Sequence, residues 1–304
     1  MRLQRRLRRD FYRWRFSRDE AFIVETEPVF ANVEAGVVVV SQVHHAAVKA
    51  ALIAIKSFIY QFGQVKVEIL DDGSLTADDY STLKHHLQGV QITPIADVEL
   101  GRCPSGGTWE RLAYIIKRSQ NAYVIQIDSD LLFIGPLPEI NNAVRANQSF
   151  MIGGPMWTDG ADLAYMAKLA KRWGNSHIQP ICEAHLDQIP LDCVDRYLRG
   201  CSGFAGFAQG AFRFGDLQAL SEFYAQLLGD AVWQQWGSEQ FASNVMISSD
   251  CGGMLLPWPK YQNYRFPVYE GGFSGRVSAV HFIGSDRFHT DDYRRFANRV
   301  MRNL

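Results

Sequence analysis

A chain of 304 residues with 47 % hydrophobic and 21 % charged side chains has an ordinary globular balance, which excludes wholesale disorder. Its formal net charge of −1 excludes the overall basic field of a nucleic-acid binder. No apolar run approaches the ~18 residues of a membrane-spanning helix.

The length suits one large α/β domain or two small ones. Charge is unevenly spread along it. The opening "MRLQRRLRRDFYRWRFSRDE" holds eight arginines against Asp10, Asp19 and Glu20, a net +5, and the remainder holds 23 basic and 29 acidic side chains, a net −6. Leu3, Leu7, Phe11, Tyr12, Trp14 and Phe16 interleave with those arginines. That pattern fits a basic amphipathic helix for an anionic membrane surface, or an arm that is solvated or packed on its own acidic domain. The five cysteines (103, 182, 193, 201 and 251) form no paired or metal-finger spacing. Scattered thiols and the lack of an apolar leader make a cytoplasmic protein, peripheral at the membrane at most, the expectation.

"GVVVVSQV" (36–43) predicts a buried strand, because its β-branched run does not alternate. Helical spacing follows over 44–62, and "VKVEIL" (65–70) is a second strand closed by the turn residues "DDGS" (71–74). Residues 75–88 predict a helix with Thr76 as N-cap and Asp79 three positions on. "VQITPI" (90–95) is a third strand, "GRCPSGG" (101–107) a loop, 108–120 a helix and "YVIQID" (123–128) a strand. Cys103, in that loop, is a candidate reactive thiol. Strands and helices in alternation predict an α/β fold with a mostly parallel central sheet and helices on both faces. Ligands of such sheets bind beyond the carboxyl ends of the strands, where Asp71-Asp72 and Asp128-Ser129-Asp130 both fall.

The second half is less regular. Strands are expected within 149–157, 204–214 and 277–284, and helices over 215–236, 238–248 and 291–303. Trp233 and Trp236, at helical spacing, read as core residues, and Trp157 as a candidate sugar platform. The pairs His44-His45 and His85-His86 read as exposed helix positions rather than metal ligands.

Asp128 and Asp130 follow an apolar run and precede another, "LLFIGPLPEI". Unpaired carboxylates there would be very unfavourable. Two hard oxygens instead suit Mg²⁺ or Mn²⁺ carrying substrate phosphates, although turn or cap use explains many Asp-x-Asp triplets.

In this position the triplet resembles the metal-binding strand end of GT-A glycosyltransferases. Further segments follow in the order found in retaining family 8, the group of glycogenin, galactinol synthase and lipopolysaccharide galactosyltransferases. "DDGS" resembles a nucleotide-binding loop, and Arg111 lies 17 residues before Asp128, where that family keeps a donor-contacting arginine. "CSGF" (201–204) resembles Asn-Ser-Gly with Cys201 in place of asparagine, and "EQFASN" (239–244) resembles Asp-Gln-x-x-x-Asn with Glu239 in place of aspartate. "HFIGSDR" (281–287) resembles His-Phe-x-Gly-x-x-Lys with Arg287 in place of lysine, but Phe288 and His289 stand where Pro-Trp would follow.

The resemblance covers 36–289 and implies a GT-A (nucleotide-diphospho-sugar transferase) fold. It further implies a basic arm at 1–34 and one catalytic domain at 35–304, with a nucleotide-binding half (35–150) and an acceptor half (151–304). It implies that Asp128, Asp130 and His281 hold Mn²⁺ or Mg²⁺, that Arg287 meets the diphosphate, and that Ser129 is among the residues that bind the donor. Ser41, His45 and Asp72 would line the base and ribose pocket, and Arg111, Glu239 and Gln240 would surround the donor sugar. The implied activity is retaining transfer from a nucleotide-sugar, UDP-sugar first, to a saccharide, lipid-linked or protein acceptor. Two alternatives stand beside it. One is an inactive carbohydrate- or membrane-binding module on the same fold. The other is a sugar nucleotidyltransferase, disfavoured because "SQVHHAAVKA" lacks the glycine-rich loop of that chemistry.

Overall fold

The computed structural model describes residues 2–174, 177–265 and 276–304. Helix α1 (Arg2–Glu20) runs through a 3₁₀ turn to a two-residue strand, β1 (Val29–Phe30). Then come β2 (Val37–Val43), α2 (Val48–Phe62), β3 (Lys66–Asp71) and α3 (Ala77–His86). Helix α3 begins with the expected capping box: the Asp79 amide donates to Thr76 Oγ1, and the Thr76 amide to Asp79 Oδ2. Strands β4 (Leu87–Gln88) and β5 (Gln91–Pro94), helix α4 (Trp109–Arg118), and strands β6 (Tyr123–Ile127) and β7 (Leu131–Phe133) complete the first half.

The second half holds α5 (Pro138–Arg145), β8 (Phe150–Ile152), α6 (Leu163–Trp173) and α7 (Ile178–Glu183). It continues with β9 (Cys201–Phe207), α8 (Phe214–Leu228), α9 (Asp230–Trp233) and α10 (Ser238–Ser248). The helix expected over 215–236 is two helices, because Gly229 at φ +82° turns the chain between them. Strands β10 (Met254–Leu256), β11 (Tyr261–Asn263) and β12 (Ala279–His281) and helix α11 (Asp292–Met301) close the chain. Among the described residues no helix is long and apolar enough to cross a membrane.

Seven strands form the central sheet in the order β10-β8-β9-β6-β2-β3-β5, parallel except for β9, which runs against both neighbours. Alternate residues feed two cores. Val39, Val43, Val67, Ile69, Ile125 and Ile127 enter one cluster with α2, and Val38, Val40, Leu70 and Val124 enter the other with α4, α8 and α10. Burial on both faces is why β2 reads as an unbroken apolar run. A second sheet, β11-β12-β7, has β12 antiparallel to β7 and parallel to β11.

Three expectations are corrected. Trp236 is 76 % exposed beyond the end of α9, while Trp233 is buried as expected. His86 is buried although His85 is not, because α3 turns that side onto the core beside Lys56. Cys103 lies buried, and burial pushes its thiol up to about 12, so it is an inert core group rather than a nucleophile.

Candidate active site

The acid turn marks the point where the two sheets meet. β6 lies between β2 and β9, and the Asp128 amide donates to the Gly203 carbonyl of β9 at 2.9 Å. The Leu131 amide then donates to the Asp128 carbonyl, and the chain leaves the central sheet as β7. Its register on β12 sets Leu131 opposite His281, and the Phe282 amide donates to the Asp130 carbonyl at 2.9 Å. Strand pairing, rather than proximity in sequence, therefore brings His281 to the acids.

Asp128, Asp130 and His281 each present one ligand atom, and these atoms lie within 4.8 Å of one another. His281 Nε2 is 3.0 Å from Asp130 Oδ1 and 3.6 Å from Asp128 Oδ2. The other oxygens turn outward to guanidinium groups: Asp128 Oδ1 lies 2.5 Å from Arg111 and Asp130 Oδ2 lies 3.1 Å from Arg287. Each carboxylate thus has one oxygen tied to an arginine and one facing the shared centre. The far ring nitrogen, His281 Nδ1, donates to Asn263 Oδ1 at 3.0 Å and lies 3.4 Å from Cys201 Sγ. An amide oxygen on Nδ1 fixes the ring with Nε2 toward the acids, as an outer-shell partner of a metal-ligating histidine does. Two hard oxygens and an imidazole converging on one point suit a divalent cation of the Mn²⁺ or Mg²⁺ class.

The backbone of β9 lies against this imidazole. A Cβ on Gly203 would fall 2.2 Å from His281 Cε1, so only glycine leaves room for the ring. Burial disfavours charge on His281, but the Asp130 carboxylate and the Cys201 thiol outweigh it and hold the imidazole well above its usual pKa. Burial likewise raises Asp130, yet His281 and Arg287 bring it below the usual carboxylate range.

A second buried group adjoins the first. Arg111 on α4 bridges Asp128 and Glu239 of α10, with Arg111 Nη2 3.6 Å from Glu239 Oε1. Glu239 also accepts from Thr108 (2.9 Å) and Ser243 (3.2 Å). Thr108 and Gly237, which begin α4 and α10, both take left-handed backbone, at φ +75° and +100°. For a threonine this is an uncommon, strained conformation, and here its hydroxyl bonds Glu239. Burial raises the Glu239 carboxyl despite Arg111 and Thr108, and the Arg111 guanidinium stays charged because Asp128 and Glu239 outweigh its own burial.

The remaining sequence candidates fall around this centre unevenly. Gln240 is half-buried and donates to Gln179 Oε1 on α7 at 2.9 Å. Ser129 lies half-buried between the acids. His45 and Asp72 meet at the ends of β2 and β3 through Ser74, whose Oγ accepts from the His45 amide and donates to Asp72 Oδ1. Ser41 stands apart, fully buried within β2, and its hydroxyl finds no partner among the described residues. Of the adjacent acids, the buried one is Asp71, which accepts from Gly73 and Tyr80 and shapes the loop. Asn263 and Thr108 escaped the sequence reading. Nothing in "YQN" or "GGTW" marks either, since each acts through a partner more than ten residues away.

No family model and no curated protein matches this chain. Among solved structures, the apo form of the bifunctional glycosyltransferase WbbM superposes with a TM-score of 0.50 at 13 % identity, over 84 % of this chain. The fold is that of the GT-A glycosyltransferases. This chain spans 47 % of the WbbM chain. The galactosyltransferase LgtC, in complex with donor and acceptor sugar analogues, gives a TM-score of 0.49 at 11 % identity over 86 % of this chain and 95 % of its own. Core-mannan synthase A from Aspergillus fumigatus, in a Mn/GDP form, gives 0.47 at 8 % identity over 90 % of this chain and 88 % of its own. At 13 % identity the likeness to WbbM establishes architecture alone.

Proposed function

We propose that this chain is a metal-dependent glycosyltransferase that moves a sugar from a nucleoside-diphosphate donor, UDP-sugar first, to an acceptor. The observation that carries the reading is the convergence of Asp128, Asp130 and His281 at the carboxyl end of a central strand in this fold. Asp128, Asp130 and His281 would hold a divalent ion, which would supply Lewis-acid stabilisation of the charge that builds on the departing diphosphate. Arg287, already turned into the site by Asp130, offers a guanidinium to the same phosphates. Arg111 holds Asp128 and Glu239 together, so the acid turn and the start of α10 keep one geometry. Glu239 and Gln240 then stand beside the donor sugar. His45 and Asp72, at the neighbouring strand ends, face the base and ribose. Retention of configuration follows from the likeness of 201–204, 239–244 and 281–287 to family 8 segments.

The test is hydrolysis of UDP- and GDP-sugars with Mn²⁺ by the wild type and by Asp130→Ala. A rate that depends on Mn²⁺ and disappears in the variant is expected. Equal background rates in both proteins remove the assigned role of the acid pair. A thermal-shift screen of nucleoside diphosphates with and without Mn²⁺ identifies the base, with UDP and Mn²⁺ together expected to give the largest shift.

A further inference from the structure

Helix α1 carries two apolar stripes, and the domain uses one of them. On the inner side Phe16 is buried, stacking on Tyr293 at 4.1 Å and edge-on to Phe288 at 5.7 Å. Asp19, also buried, accepts from Arg294 and Asn298 of α11 at 2.7 Å each, and Arg15 pairs with Asp291 at 3.2 Å. The helix is therefore fixed to the body rather than trailing from it.

The outer side is Leu7, Phe11, Trp14 and Arg18, spaced i, i+4, i+7 and i+11, which one helical face collects. Leu7 is 61 %, Phe11 52 % and Trp14 57 % exposed. Trp14 and Phe11 stack at 6.3 Å, with the Arg18 guanidinium over Trp14 and that of Arg15 over Phe11. At ~100° per residue, Arg6 and Arg13 fall on one flank of this stripe and Arg8 and Arg15 on the other. Phe22 and Val24, in the turn that follows, are also exposed.

We infer that this outer face of α1 is a docking surface for an anionic lipid bilayer. An apolar stripe with a tryptophan, bordered by arginines on both flanks, matches the interface between acyl chains and anionic headgroups. A second copy of the chain is a poor occupant, since each copy would bring its net +5 helix against the other's. A polyanion without an apolar layer would leave Leu7, Phe11 and Trp14 in water. The inference does not depend on the proposed reaction. Its consequence for orientation is direct, because the inner stripe rests on Phe288, next to the Arg287 that pairs with Asp130.

The test is co-sedimentation of the full chain with vesicles of phosphatidylcholine alone and of phosphatidylcholine with phosphatidylglycerol. Binding is expected on the anionic vesicles only, and it should weaken as salt is raised. The substitution pair Arg6→Glu/Arg13→Glu should reduce it about tenfold or more, and Phe11→Ser/Trp14→Ser should reduce it comparably. Phe11 and Trp14 are exposed on the outer face, so thermal unfolding of that pair should stay near that of the wild type. Arg13 lies over the Phe288 ring at 5.4 Å, so the arginine pair is compared with the wild type below its own melting temperature. No binding to anionic vesicles overturns the inference. Binding that survives Phe11→Ser/Trp14→Ser, or that heparin and vesicles share equally, also overturns it and assigns the arginines to a soluble polyanion instead.

Discussion

Gly203→Ala tests the centre without replacing any proposed ligand. The added methyl would lie 2.2 Å from His281 Cε1, 2.7 Å from Nδ1 and 2.8 Å from Nε2. The ring has nowhere simple to go, because Asn263 holds Nδ1 and the His281 carbonyl accepts from the Tyr264 amide. Overpacking of this kind costs about 1–3 kcal/mol of stability, and displaced ligand geometry costs roughly 10–100-fold in metal affinity. With Mn²⁺ and UDP together at about 100 times the wild-type dissociation constant, linkage stabilises the wild type by ~2.7 kcal/mol, against ~1.4 or ~0.4 kcal/mol for tenfold or hundredfold weaker binding. For 304 residues each kcal/mol moves the melting temperature by about 1.6 °C. The ligand-induced shift should therefore fall from ~4 °C to between ~0.6 and ~2 °C. Gly206→Ala is the control, since its methyl would meet the Phe150 ring at 2.3 Å in the same strand, away from the acids. Differential scanning fluorimetry reads both variants. A full shift in Gly203→Ala, or an equal loss in Gly206→Ala, refutes the assignment of His281.

Three further predictions follow from contacts in the structure. Asn263→Ala frees the His281 ring and should weaken Mn²⁺ binding about tenfold, measured by titration calorimetry with UDP present, while leaving the melting temperature without metal within a few degrees. Glu183 is fully buried and its Oε1 accepts from Gln179, Tyr197 and Arg199. Glu183→Ala leaves those donors unmatched and should destabilise by about 3 kcal/mol in urea unfolding. The Asp79 carboxyl is raised by burial but lowered further by His45 and Thr76, so its folded pKa lies below its ordinary value. Its stabilisation is thus complete above the unfolded value of about 3.9 and lost as pH falls through the folded one. Asp79→Asn should cost about 1 kcal/mol at neutral pH and flatten the acid limb of the stability curve, read by thermal unfolding from pH 7 to pH 3.

The first half of the fold was legible because β2, β3 and β6 are buried on both faces and the cap of α3 is local. "GVVVVSQV" contains β2, and Thr76 and Asp79 mark the start of α3 within four residues. The acid turn was legible for the same reason, as charges set between two apolar runs. β7, β10 and β11 were not legible, because three residues carry no periodicity. The stretch 157–200 hides α6 and α7 among short polar turns. His281 could be paired with Asp130 in advance only through a family likeness, since its place depends on the β12–β7 register. The network of Thr108, Arg111 and Glu239 depends on two left-handed residues at helix starts, and one of them is a threonine that no turn rule anticipates.

The alternation of Arg111, Asp128, His281, Asp130 and Arg287 has a bearing on the order of events. The resting centre already carries its own counterions, so it exerts little pull on a lone dication. On the proposed reaction, a cation accompanied by a diphosphate would bring compensating charge of its own and let Arg287 exchange the Asp130 carboxylate for a phosphate, while Arg111 stays between Asp128 and Glu239. On that proposal the pair would enter together and leave together after the sugar.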